Sequence, residues 1–104
     1  MSRDEELLEL AAKAAGFLNY TMCQCSVFVE TGACRGVSGY YWNPLKSNGD
    51  AFELAVKLGM WVYIGHLNVS VDVKGLLIEE VGRDPYDTTR RAIVRAAAEI
   101  GKTK

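Results

Sequence analysis

Three helical runs separated by alternating apolar segments predict an α+β fold, α-β-β-α-β-β(-β)-α, with an antiparallel or mixed sheet covered by three helices. Three observations support this. Cap signatures at Ser2, Asp50 and Asp84 each open a stretch of helical periodicity. Period-two alternation fills the intervals, and every strand-to-strand link is short enough for antiparallel pairing.

Ser2 and Glu5 form an S-x-x-E box, in which hydroxyl and carboxylate reciprocally satisfy the backbone N–H groups that a helix start leaves without partners. Leu7, Leu10, Ala11 and Ala14 follow at helical spacing, and Gly16 suits a left-handed stop, so the first helix is expected over 3–15. From Phe17 to Glu30 the chain reads as one strand in which Cys23, Cys25, Val27 and Val29 line the dry face. Thr31 and Gly32 supply a turn, and Val37 to Trp42 returns as the hairpin partner through an irregular link containing Ala33, Cys34 and Arg35.

Asp50 with Glu53 repeats the capping pattern, and Gly59 ends a short second helix over 50–58. Beyond it Trp61, Tyr63, Leu67, Val69, Val71 and Val73 share one parity, with Gly65 breaking the run or marking a bulge. Lys74-Gly75 is a tight turn into a last strand, Leu76 to Val81. Asp84 as cap and Pro85 in the first helical position open the third helix over 85–101. Its apolar side is Tyr86, Thr89, Ile93, Ala96, Ala97 and Ile100, with Arg90, Arg91, Arg95 and Glu99 opposite.

With 104 residues, 49% hydrophobic and 24% charged, the chain has the composition of a single globular domain spanning 1–104. Twelve basic against thirteen acidic side chains give a net charge of −1, which excludes a global field toward nucleic acid or anionic membrane. The acidic start, Asp4-Glu5-Glu6, is unlike a secretory signal, and no apolar run approaches the roughly 18 residues of a membrane span, so a cytoplasmic protein is expected. An odd count of three cysteines fits reduced thiols.

The runs Trp42-Asn43-Pro44-Leu45, Gly49-Asp50-Ala51, Leu54-Ala55-Val56-Lys57-Leu58 and Asp84-Pro85-Tyr86, with Thr88 to Ile93 and Arg95 to Glu99, resemble the phage ABA sandwich domain, a family of small tailed-phage and prophage proteins. The opening run Glu6 to Gly16 looks like that family's first helix. The resemblance implies a helix-sheet-helix sandwich encoded by a phage or prophage and acting in the bacterial host cytoplasm. It implies no catalytic residue. Where the family often carries acidic residues, this chain has Lys46, Ser47 and Asn48, which weakens a cation site in that loop.

No acid, base and nucleophile converge in a recognisable motif, there is no phosphate-binding glycine loop, and no cofactor is expected. The chemistry on offer is binding. Tyr40, Tyr41, Trp42 and Trp61 are the candidate protein contacts, because alternation cannot bury both Tyr40 and Tyr41 on one face. The expected partner is a host or phage protein, with a homodimer as a further form and neither nucleic acid nor membrane expected. One alternative is a nucleic-acid or nucleotide binder using Arg90, Arg91 and Arg95. Another is zinc held by Cys23, Cys25 and Cys34 with His66, although the Cys-x-Cys spacing is shorter than zinc sites normally show and suits neighbours on one strand face.

Overall fold

The computed structural model describes residues 3–17, 20–23, 26–30 and 39–103, the side chains of Cys23 and Glu30 excepted. Its elements are α1 (Arg3–Ala15), β1 (Tyr20–Cys23), β2 (Ser26–Glu30), β3 (Gly39–Trp42), α2 (Asn48–Leu58), β4 (Trp61–Ile64), β5 (Asn68–Val73), β6 (Leu76–Val81) and α3 (Pro85–Gly101). The α+β class expected from the sequence is the one that forms. The strands divide into two antiparallel three-stranded sheets, ordered β1-β2-β3 and β4-β5-β6, rather than a single layer.

The segment read as one strand from Phe17 to Glu30 is a hairpin. Cys23 pairs with Ser26 and Met22 with Val27, so inward parity in β1 belongs to Tyr20 and Met22, which pack against the core. A turn inside an apolar run reverses which parity faces inward, and alternation alone does not register it. The Ser2 cap, the Thr31-Gly32 turn and the start of the returning strand at Val37 lie outside the described residues.

The second helix begins two residues earlier than the sequence suggests. Its cap is Ser47, whose hydroxyl accepts from the Asp50 N–H at 3.2 Å, while the Asp50 carboxylate accepts from the Asn43 N–H at 2.9 Å. Ser47 thus takes the cap that the sequence assigned to Asp50, and the Asp50 carboxylate instead ties the helix start back to the turn at Asn43. Gly59 ends the helix at φ 68°, where a side chain would be strained, and its N–H reaches the carbonyls of Ala55 and Val56. At α3 the expectation holds in detail: Asp84 accepts from Tyr86 N–H at 3.0 Å, and Pro85 is the first helical residue.

The core is built of small side chains around α1 and α3. Ala11, Ala12, Ala14 and Ala15 on α1 are buried, as are Ala92, Ile93, Val94, Ala96, Ala97 and Ala98 on α3. Alanines let the backbones approach closely: a Cβ on Gly101 would run into the carbonyl of Leu10. Asp4 meets Arg91 and Leu10 meets Gly101, so the two helices run in the same sense. α3 is buried on a second flank by β5 and β6, which explains why its buried surface is wider than a single stripe. Val69, Val71 and Val73 of β5 point into that contact, and Val27, Val29 and Trp42 do the same for the first sheet.

Candidate functional site

Hairpin register decides which aromatic rings reach solvent. In β4 and β5, Trp61 pairs with Asp72, Val62 with Val71 and Tyr63 with Ser70, so residues of opposite parity share a face. Val62 therefore joins Val71 on the side toward α3, and Trp61 and Tyr63 project from the other side. They are 67% and 55% exposed, with ring centroids 6.4 Å apart. β6 adds Leu77 opposite Asp72 and Val81 opposite Asn68, and both apolar side chains are exposed. Among the described residues no helix lies on this face of the second sheet, so Trp61, Tyr63, Leu77 and Val81 form an exposed apolar surface crossed by Asp72, Ser70 and Glu79.

The candidate aromatic residues separate accordingly. Trp61 is on this surface. Trp42, 3% exposed, is a core residue whose ring meets Phe17 edge-on at 5.0 Å, so it is withdrawn as a contact residue. Its parity in β3 matches the buried Val27 across the ladder, which is why it turns inward. Tyr41 is 68% exposed on the outer side of the first sheet, with its ring 5.2 Å from Phe28. Tyr40 is half-exposed at the rim of a small cleft formed with Phe17, Trp42, Glu53 and Lys57. Its phenol is pushed above the ordinary value by burial first and then by the carboxylates of Glu53 and Asp50.

A second apolar feature is one that strand and helix periodicity could not show. An open groove of about 770 Å³ lies between α2, the start of α3 and the inner side of β4. Phe52 and Val56 of α2 form one wall, Met60, Val62 and Ile64 the other, and Tyr86, Thr89 and Ile93 the floor. Phe52, Val56, Ile64 and Tyr86 are all exposed there. The sequence placed Tyr86 on the apolar side of α3; the first turns of that side, Tyr86 and Thr89, look into the groove, while Ala96 and Ala97 further along it are buried in the core.

The three arginines are not a bare basic patch. Arg90, its side chain 16% exposed, donates from Nε to the Leu45 carbonyl at 2.9 Å and from its terminal nitrogen to Asn48 Oδ1, with Asp87 at 3.6 Å. Arg91 pairs with Asp4 at 3.1 Å, which holds its guanidinium above the ordinary value chiefly through that hydrogen bond. Arg95 pairs with Glu80 at 3.1 Å and donates to the Glu79 carbonyl at 3.3 Å. Each charge meets a carboxylate of this chain, so little positive potential is left to attract a phosphate backbone.

Cys25, Cys34 and the side chain of Cys23 lie outside the described residues. His66 is exposed in the link between β4 and β5, and among the described residues no group of three His, Cys, Asp or Glu could hold a metal ion. No described helix is long and apolar enough to cross a membrane. Searched against protein-family models, curated proteins and solved structures, the chain matches none of them.

Proposed function

We propose that this chain is a phage- or prophage-encoded binding protein without catalytic activity, which docks on a host or phage protein as an accessory or anti-defence factor. The observation that carries the reading is the outer face of the second sheet, where Trp61, Tyr63, Leu77 and Val81 are exposed and, among the described residues, no helix lies over them. Large rings flanked by aliphatic side chains and rimmed by polar groups have the anatomy of an interface anchor. The sequence resemblance to the phage ABA sandwich domain supports the phage assignment. Arg90, Arg91 and Arg95 of α3 are held in ion pairs within the chain, which favours docking on a protein over binding a phosphate backbone.

The test is affinity capture from a bacterial lysate by the wild-type chain and by Trp61→Ser and Leu77→Lys. Both substitutions fall on exposed side chains, so the fold should persist. The expected outcome is a defined protein retained by the wild type and lost, by at least tenfold, with either variant. Equal recovery by all three, or recovery at the level of an unrelated control, would remove this face as the docking surface.

A further inference from the structure

We propose that the outer face of the second sheet receives a basic segment of the partner protein, whose Lys or Arg side chains lie over the Trp61 and Tyr63 rings and pair with Asp72 and Glu79. This rests on the docking reading and adds to it the chemistry of the partner.

The position of the carboxylates is the first argument. In the β4–β5–β6 register Trp61 stands opposite Asp72 and Asp72 opposite Leu77, while Tyr63 stands opposite Ser70 and Ser70 opposite Glu79. Asp72 therefore occupies the middle strand with an apolar side chain on either hand, and a protein laid over Trp61 and Leu77 must cover it as well. Glu79 stands between Leu77 and Val81 on the same face of β6 and falls within the same footprint. A carboxylate taken out of water loses its hydration, and only a cation or a set of donors restores what is lost. A neutral or acidic surface is thus a poor match for this face, and a basic one is complementary to it.

The second argument is that neither carboxylate is used within the chain. The ion pairs formed among the described residues join Arg90 to Asp87, Arg91 to Asp4, Arg95 to Glu80 and Lys102 to Glu99. Arg95 reaches the Glu79 carbonyl, but its charge meets Glu80, on the opposite parity of β6. Lys74, in the turn between β5 and β6, and Arg83, after β6, are the basic residues next along the chain, and neither pairs with Asp72 or Glu79. β4, β5 and β6 contain no Lys, Arg or His. The charge of the face is therefore negative, with both carboxylates exposed and open to an incoming cation.

The rings act in the same direction. An aromatic face attracts a cation placed within about 6 Å of its centroid. The Trp61 and Tyr63 centroids are 6.4 Å apart, so one guanidinium or ammonium group can lie within reach of both, beside Asp72. Leu77 and Val81 offer apolar surface to the aliphatic stems of the same side chains. Asp72 and Glu79 are diagonal neighbours across the β5–β6 ladder, about 7–8 Å apart. Alternate residues of an extended chain are about 7 Å apart, so the segment that fits carries basic side chains at alternate positions.

The probe that tests this is acetylated, amidated hexa-arginine, titrated into the isotope-labelled full chain at about 50 mM salt while amide and Trp indole resonances are followed. Trp61, Tyr63, Asp72 and Glu79 are expected to shift together and to saturate, with the buried Trp42 indole unmoved. Asp72→Asn combined with Glu79→Gln, both at exposed positions, is expected to weaken binding at least tenfold. Glu6→Gln combined with Glu9→Gln removes the same charge from α1 and is expected to change it less than twofold. Hexa-glutamate should leave these resonances in place. No saturable shift at Trp61 and Asp72, equal losses in the two double variants, or equal binding of hexa-glutamate would overturn the proposal. If lysate capture depends on Trp61 and Leu77 while hexa-arginine does not bind, the docking face stands and the basic partner is withdrawn. If hexa-arginine binds as expected and capture is indifferent to both substitutions, the docking reading is the one that falls.

Discussion

At the scale of single residues, whether a ring is core or surface depends on the register of its hairpin, and Tyr40, Tyr41 and Trp42 show the consequence within three positions. Trp42 shares a face with Val27 and is buried, Tyr41 faces outward, and Tyr40 sits at the rim beside Glu53. Burial and the carboxylates of Glu53 and Asp50 favour the neutral Tyr40 phenol, so its ionisation lies above 10.0 in the folded chain. The sign follows from linkage. Below 10.0 both states hold the proton and the contribution is constant. Above it the unfolded chain ionises first, and stability falls as pH rises. Tyr40→Phe is expected to flatten part of that alkaline loss, measured as the urea midpoint against pH. An unchanged slope would show that the Tyr40 phenol is not perturbed in this way. Sequence alternation does place Tyr40 and Tyr41 on opposite faces. It could not say which ring is exposed, because that depends on pairing across the strand.

At the scale of elements, helix starts were legible to within two residues because capping chemistry is local. Asp84 and Pro85 open α3 as expected, and α2 is displaced only because Ser47, three residues before Asp50, takes the cap. Strand divisions were less legible, since Phe17 to Glu30 looks the same to alternation whether it is one strand or a hairpin. Arg90 illustrates a role that periodicity hides. It reads as a solvated helix face, yet it bridges α3 to the Leu45 carbonyl and to Asn48 at the start of α2. Arg90→Ala should therefore destabilise the chain by about 2 kcal/mol, the size expected for losing hydrogen bonds to a charged group. Chemical denaturation checks this. A change within about 0.5 kcal/mol, the range of ordinary surface substitutions, would show that the bridge is not formed in solution. The same substitution distinguishes a structural arginine from a phosphate contact, which would leave stability alone and reduce salt-dependent nucleic-acid binding.

At the scale of the whole molecule, the architecture splits into a helix pair with a sheet on either flank, and its longest dimension is 47 Å against 26 and 24 Å. Among the described residues no helix covers the outer face of the second sheet, and its apolar side chains are exposed. That distribution was not legible from the sequence, which predicted a single sheet with helices over its faces. The sequence names Trp61 among the candidate contacts, but its neighbours Tyr63, Leu77 and Val81 come together on one face only through the β4–β5–β6 register. The groove beneath α2 likewise depends on how far α2 stands from β4, which no local pattern encodes. An exposed apolar face on the second sheet is the feature on which the proposed docking rests.

Hydroxyl-radical footprinting tests that claim most directly, comparing the purified chain with the same chain re-isolated after incubation in bacterial lysate. The account expects Trp61, Leu77 and Val81 to react readily in the purified chain and to be protected several-fold after the lysate, with Trp42 slow in both. Equal reactivity of Trp61, Leu77 and Val81 in the two samples would contradict it.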